Sequence, residues 1–87
     1  LEIDHARAKR LGEAALHHPS VISHYPIDTN IVILELQKGV DADALSAEWG
    51  RNGIECFQFG PSSIRFVTHL DNTDAQIDAA CNYLSKI

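Results

Sequence analysis

The sequence predicts an α/β protein of the α+β kind, a two-layer sandwich in which a small, mostly antiparallel sheet carries helices on one face. Three observations lead there. IVILEL at 31–36 is a run of β-branched and aliphatic residues interrupted only by Glu35, the composition of a strand. The apolar runs at 54–59 and 64–68 are separated only by the turn formers Gly60, Pro61, Ser62 and Ser63, as in a hairpin. Three further segments space their apolar residues helically, and each such stripe needs a surface to cover.

In chain order, residues 1–17 place Ile3, Ala6 or Ala8, Leu11, Ala14 or Ala15 and Leu16 near helical spacing, and Pro19 with the histidine pair before it ends that helix. Residues 18–30 hold two prolines and several turn formers. They are expected to be an irregular connection, with a short extended piece at 20–23. The run 31–36 has no polar alternation, which predicts burial on both faces or nearly so. Asp41 is placed to cap a helix over 41–52, with Leu45 and Trp49 four residues apart on one face and Gly53 as its stop. In the hairpin, Ile54, Cys56 and Gln58 alternate with Glu55, Phe57 and Phe59. Thr73 with Gln76 three residues on fits a capping box for a helix over 74–85, whose stripe is Ile77, Ala80, Cys81 and Leu84. The expected order is helix, strand, helix, strand, strand, helix.

At 87 residues the chain is one small domain, and such a domain buries only about 60–65% of its unfolded surface. It lacks methionine and begins LEIDHARAKR, a helix already under way; a fragment of a larger protein is the expectation. The net charge of −5 argues against a polyanion partner, since nucleic-acid affinity rests on phosphate neutralisation. Arg7, Lys9 and Arg10 cluster, but beside Glu2, Asp4 and Glu13 they read as a solvated face of mixed charge. No apolar run reaches the length of about 20 residues that spans a membrane. Cys56 and Cys81 stand apart without ligand spacing and read as small buried hydrophobes in a reduced, cytoplasmic setting.

The chemistry-bearing residues are few. His17, His18 and His24 match no zinc spacing and read as polar loop residues; His5 is expected to face water. Glycines 12, 39, 50, 53 and 60 read as turn and cap residues, not a phosphate cradle. Lys9, Lys38 and Lys86 lack the hydrophobic surroundings that make a lysine nucleophilic. No catalytic residue is assigned to this chain. Arg65 stands out because it interrupts Ile64, Phe66 and Val67. Strand alternation puts Ile64, Phe66 and Thr68 on one face and Arg65, Val67 and His69 on the other. On the face away from the helices, Arg65 is either an exposed residue, pairing at most with Glu55 across the hairpin, or a fork that grips a carboxylate under a covering domain.

DHARAKRL at 4–11, TNIV at 29–32 and above all FGPSSIRFVTHLD at 59–71 resemble the C-terminal part of the low-specificity L-threonine aldolases, pyridoxal-phosphate (PLP) lyases of the aspartate-aminotransferase fold. The resemblance implies that residues 1–87 are a C-terminal small domain closing over a PLP site held mainly by a preceding large domain. It implies cleavage of L-threonine or another β-hydroxy-α-amino acid, such as phenylserine, to glycine and an aldehyde, with PLP as the electron sink. It also implies a homodimer or homotetramer. Arg65 matches the residue that binds the substrate α-carboxylate. No lysine here matches the Schiff-base lysine, and no residue here is assigned to the cofactor. His69 and Asp71 share the motif: His69 either lines the site or bonds locally, and Asp71 organises the turn into the last helix. Thr29 and Asn30 are read as turn residues. A β-eliminating lyase or an aminotransferase of the same fold is the neighbouring possibility, and a stand-alone ligand-binding or interaction module is the one from a different class.

Overall fold

The computed structural model describes residues 2–68 and 73–86. Helix α1 spans Glu2–Ala15, strand β1 Val21–His24, β2 Ile31–Leu36, helix α2 Ala42–Arg51, β3 Phe57–Gln58, β4 Ser63–Val67 and helix α3 Asp74–Ser85. The strands form one antiparallel sheet in the order β1-β2-β4-β3. The expected two-layer α+β sandwich is therefore present, with one strand more than the sequence order suggested.

Alternation along the two central strands builds the core. Val32, Leu34 and Leu36 of β2 and Ile64 and Phe66 of β4 are buried, as are Ala8, Leu11 and Ala15 of α1, Leu45 and Trp49 of α2, and Ile77 and Leu84 of α3. The intervening sheet residues Ile31, Glu35, Arg65 and Val67 are exposed, and Ile33 is half-buried. This corrects the expectation that 31–36 is buried on both faces. Helices cover one face only, so the run IVILEL alternates in burial although it does not alternate in polarity.

The helix ends explain where the chain turns. Asp41 accepts hydrogen bonds from the backbone of Asp43 at 3.0 Å and Ala44 at 3.2 Å, satisfying donors that have no partner within the helix. At the other end Ile54 N donates to Trp49 O at 2.9 Å and Gly53 N to Gly50 O at 3.3 Å. With Gly53 at φ 87°, this is a Schellman motif, and the buried Ile54 beside the buried Trp49 is its hydrophobic contact. Thr73 and Gln76 form the expected capping box at α3, the Thr73 oxygen accepting from Gln76 N at 3.1 Å and Thr73 N donating to Gln76 Oε1 at 3.0 Å.

Several local expectations change. Helix α1 stops at Ala15, two residues early, where a turn begins. The extended piece expected at 20–23 is present as β1 at Val21–His24, and it pairs with β2 as an edge strand whose register shifts between Val21 and Ser23. The strand expected over 54–59 shrinks to two residues, because the Schellman motif draws Ile54 into the core, out of line with β4. Gly12 lies inside α1 and is no turn residue. A Cβ there would come within 2.4 Å of Ile27 Cδ1, so glycine lets the helix press onto the chain entering β2. Gly50 likewise lies inside α2. The basic cluster is not merely solvated, since Arg7 bonds Asp74 at 3.2 Å and Arg10 bonds Asp78, tying α1 to α3.

Candidate functional site

Arg65 sits at the centre of the open sheet face. Its cross-strand neighbours are Ile33 on β2 and Phe57 on β3, so the three side chains form one row across the sheet on the face away from the helices. The next row holds Ile31 and Val67, and the row on the other side Glu35 and Ser63. Phe57 is 70% exposed. Register fixes this arrangement, because Ile64 and Phe66 are drawn under the helices and Arg65 between them must point the other way.

Among the described residues the Arg65 side chain makes no hydrogen bond or ion pair; the ion pairs present are those of Arg7 and Arg10. Glu55 does not pair with it, because Phe57 occupies the facing position on β3. The acid nearest in register, Glu35, already accepts a hydrogen bond from Ser23 Oγ at 3.2 Å. A guanidinium is always charged and carries five donors in a fixed fork. Here the fork is surrounded mainly by apolar side chains and open above, a geometry suited to a carboxylate arriving from outside the domain.

The other residues singled out in the sequence have structural work. Thr29 Oγ1 accepts from Ile31 N at 3.2 Å, and Asn30 Nδ2 donates to Thr68 O at 2.7 Å. The first is a local turn into β2, and the second closes the start of β2 against the end of β4. His69 and Asp71 lie outside the described residues. His5 does not simply face water: it is half-buried, with Nε2 donating to Ile27 O at 2.7 Å. Nor is His18 a loop residue in solvent. It is buried against the edge of Trp49, ring centres 5.4 Å apart, and its Nδ1 accepts from Ser20 N at 3.1 Å. That bond fixes the neutral tautomer protonated at Nε2, and desolvation pushes the imidazole below its ordinary pKa while Glu48 opposes the shift. His24 Nδ1 donates to Tyr25 O at 2.8 Å.

Cys56 and Cys81 are half-buried, and desolvation raises both thiols, which keeps them protonated and unreactive. Among the described residues no group of three His, Cys, Asp or Glu could hold a metal ion. Lys9, Lys38 and Lys86 are all exposed, and none lines the groove beside α3 or the one at the start of α1.

Asp4 is another buried polar residue that sequence reasoning missed. It is 6% exposed, one carboxylate oxygen has no partner among the described residues, and its carbonyl accepts from Thr68 Oγ1 at 2.8 Å. The signal was available, because Asp4, Ala8, Leu11 and Ala15 lie on one helical stripe. A groove of about 280 Å³ opens where β3 ends and leaves Val67, paired with Ile31 on its other side, without a β3 partner, between Glu55 and the first turns of α3. Arg65 does not line it.

No family model matches the sequence, and no curated protein does. Among solved structures, ornithine aminotransferase from Toxoplasma gondii, crystallised in the presence of oxidised glutathione and with PLP partially occupying its active site, shares the fold with a TM-score of 0.67. The match covers 98% of this chain at 21% identity, and 22% of that chain. The chain thus has the fold of a segment of a PLP-containing aminotransferase and spans about a fifth of its length. No helix among the described residues is long and apolar enough to cross a membrane.

Proposed function

We propose that this chain is the C-terminal small domain of a cytoplasmic PLP-dependent aldolase that cleaves L-threonine or another β-hydroxy-α-amino acid to glycine and an aldehyde. The observation that carries the proposal is Arg65, a guanidinium on the open sheet face with no partner among the described residues. It stands within a stretch, FGPSSIRFVTHLD, that resembles the carboxylate-binding strand of the low-specificity threonine aldolases. The fold likeness to part of a PLP-containing aminotransferase supports the same placement. In this account the preceding large domain covers the Arg65 face and supplies the Schiff-base lysine and the cofactor's ligands, and the whole enzyme is a homodimer or homotetramer. Arg65 binds the α-carboxylate through paired N–H donors and so fixes the orientation of the Cα–Cβ bond.

Because the fold likeness is to an aminotransferase, an aminotransferase or β-eliminating lyase is the second reading. Product analysis of the longer protein separates the two. Glycine and an aldehyde in equal amounts from a β-hydroxy amino acid are expected. A keto acid, with ammonia released or an amino group transferred, would reject the aldolase.

A further inference from the structure

We infer that Phe57 is a substrate-contacting residue that sets specificity beside Arg65, selecting carboxylate ligands with an apolar side chain larger than methyl, aryl above all. The inference rests on the proposed role of Arg65 and adds the side-chain preference, which that role leaves open.

The geometry argues as follows. A carboxylate held on Arg65 places the ligand's next two carbons over the middle of the row Phe57, Arg65, Ile33. Side chains directly opposite one another in a sheet lie about 4.5–5.5 Å apart at Cβ, and same-face neighbours along a strand about 7 Å apart. A substituent leaning toward β3 therefore meets Phe57, one leaning toward β2 meets Ile33, and one running along β4 meets Val67. Among the described neighbours of Arg65 in register, the polar side is the one toward Glu35 and Ser63, and Glu35 is engaged by Ser23. The Phe57 ring is not stacked on the guanidinium; the aromatic contact among the described residues is that of His18 with Trp49, in the core. At 70% exposure the ring contributes little to the domain's own core, which leaves its surface for a ligand. Aromatic rings contribute contact area at low entropic cost and pair well with other rings.

The test measures equilibrium binding to the PLP-loaded longer protein by calorimetry, with lactate and 3-phenyllactate as probes. Both carry a carboxylate and lack the amine that reacts with the cofactor, so binding is read without turnover. Phenyllactate should bind about tenfold tighter or more. Phe57→Ala should bring the two acids within about threefold by weakening phenyllactate alone, and Phe57→Leu should give an intermediate ratio. A merely structural role would weaken both acids together and leave their ratio unchanged. Arg65→Ala should weaken both by about tenfold or more. Equal binding of the two acids, or an unchanged ratio in Phe57→Ala, overturns the inference while leaving Arg65 in place. No effect of Arg65→Ala on either acid overturns the carboxylate role itself, and failure of both acids to bind the unmodified protein overturns both.

Discussion

Gly12 offers the sharpest test of the packing between α1 and the sheet. Replacing it by Ala puts a methyl 2.4 Å from Ile27 Cδ1, 3.4 Å from His24 Cδ2 and 3.6 Å from Val32 Cγ1. Ordinary carbon contacts lie at about 3.5–4.0 Å, so the first overlap exceeds an ångström while the others need little adjustment. Ile27 is itself buried, so its side chain cannot swing away freely. Overpacking costs about 1–3 kcal/mol, and an overlap this deep belongs in the upper part of that range. Exchanging Gly for Ala inside a helix returns about 0.8–1.0 kcal/mol. The net loss should be about 1–2 kcal/mol, or roughly 4–16 °C in Tm for a domain of this size. Ile27→Val deletes Cδ1 and should cost about 0.5–1.5 kcal/mol alone. In the double variant the new methyl occupies the vacated space, so the two changes should couple favourably by about 1 kcal/mol or more. Urea denaturation of the four proteins gives the cycle. Additive losses, or a stabilised Gly12→Ala, would refute the close approach of α1 to the chain entering β2.

Further expectations concern the buried histidine and the last helix. The folded-state pKa of His18 is lowered by desolvation, so below its ordinary pKa of about 6.5 the unfolded chain binds a proton that the folded chain refuses. Its contribution to stability is complete above about pH 6.5 and falls away as the pH drops from there through the folded pKa. Urea midpoints between pH 7.5 and pH 5 should fall less steeply for His18→Gln than for the unmodified protein; parallel profiles would show that His18 titrates as freely folded as unfolded. Thr73→Ala removes the acceptor for Gln76 N and should cost about 1 kcal/mol, read as a lower Tm. A loss below about 0.3 kcal/mol would mean that the capping box contributes little to holding α3.

Much of the fold was legible because local signals and tertiary demand agree. Asp41, Gly53, Thr73 and Gln76 mark helix ends by their own chemistry, and the parity of Ile64, Phe66 and Thr68 fixes which way Arg65 points. What escaped depends on partners far along the chain. The extended piece at 20–23 was readable, but its pairing with the edge of β2 was not. Strand β3 is short because Ile54 answers to Trp49, a demand that outweighs its place in the alternation. The pairing of Arg7 with Asp74 joins residues 67 positions apart. In the candidate site, the outward face of Arg65 was readable from alternation, whereas Phe57 as its neighbour required the register of the hairpin.

Arg65→Ala in the PLP-loaded longer protein tests the central claim most directly, with kcat/KM, PLP absorbance and Tm measured on one preparation. Arg65 is exposed and outside the core, so Tm should hold, and PLP should stay because the proposed account puts its ligands on the preceding large domain. A shielded bidentate contact to a carboxylate is worth about 2–4 kcal/mol, so kcat/KM should fall by about 30- to 1000-fold. Arg65→Lys should recover only part of that, since a point charge lacks the planar fork. Near-normal efficiency in Arg65→Ala, or a loss of PLP or of stability in step with activity, would contradict the account and leave Arg65 a structural residue of the sheet.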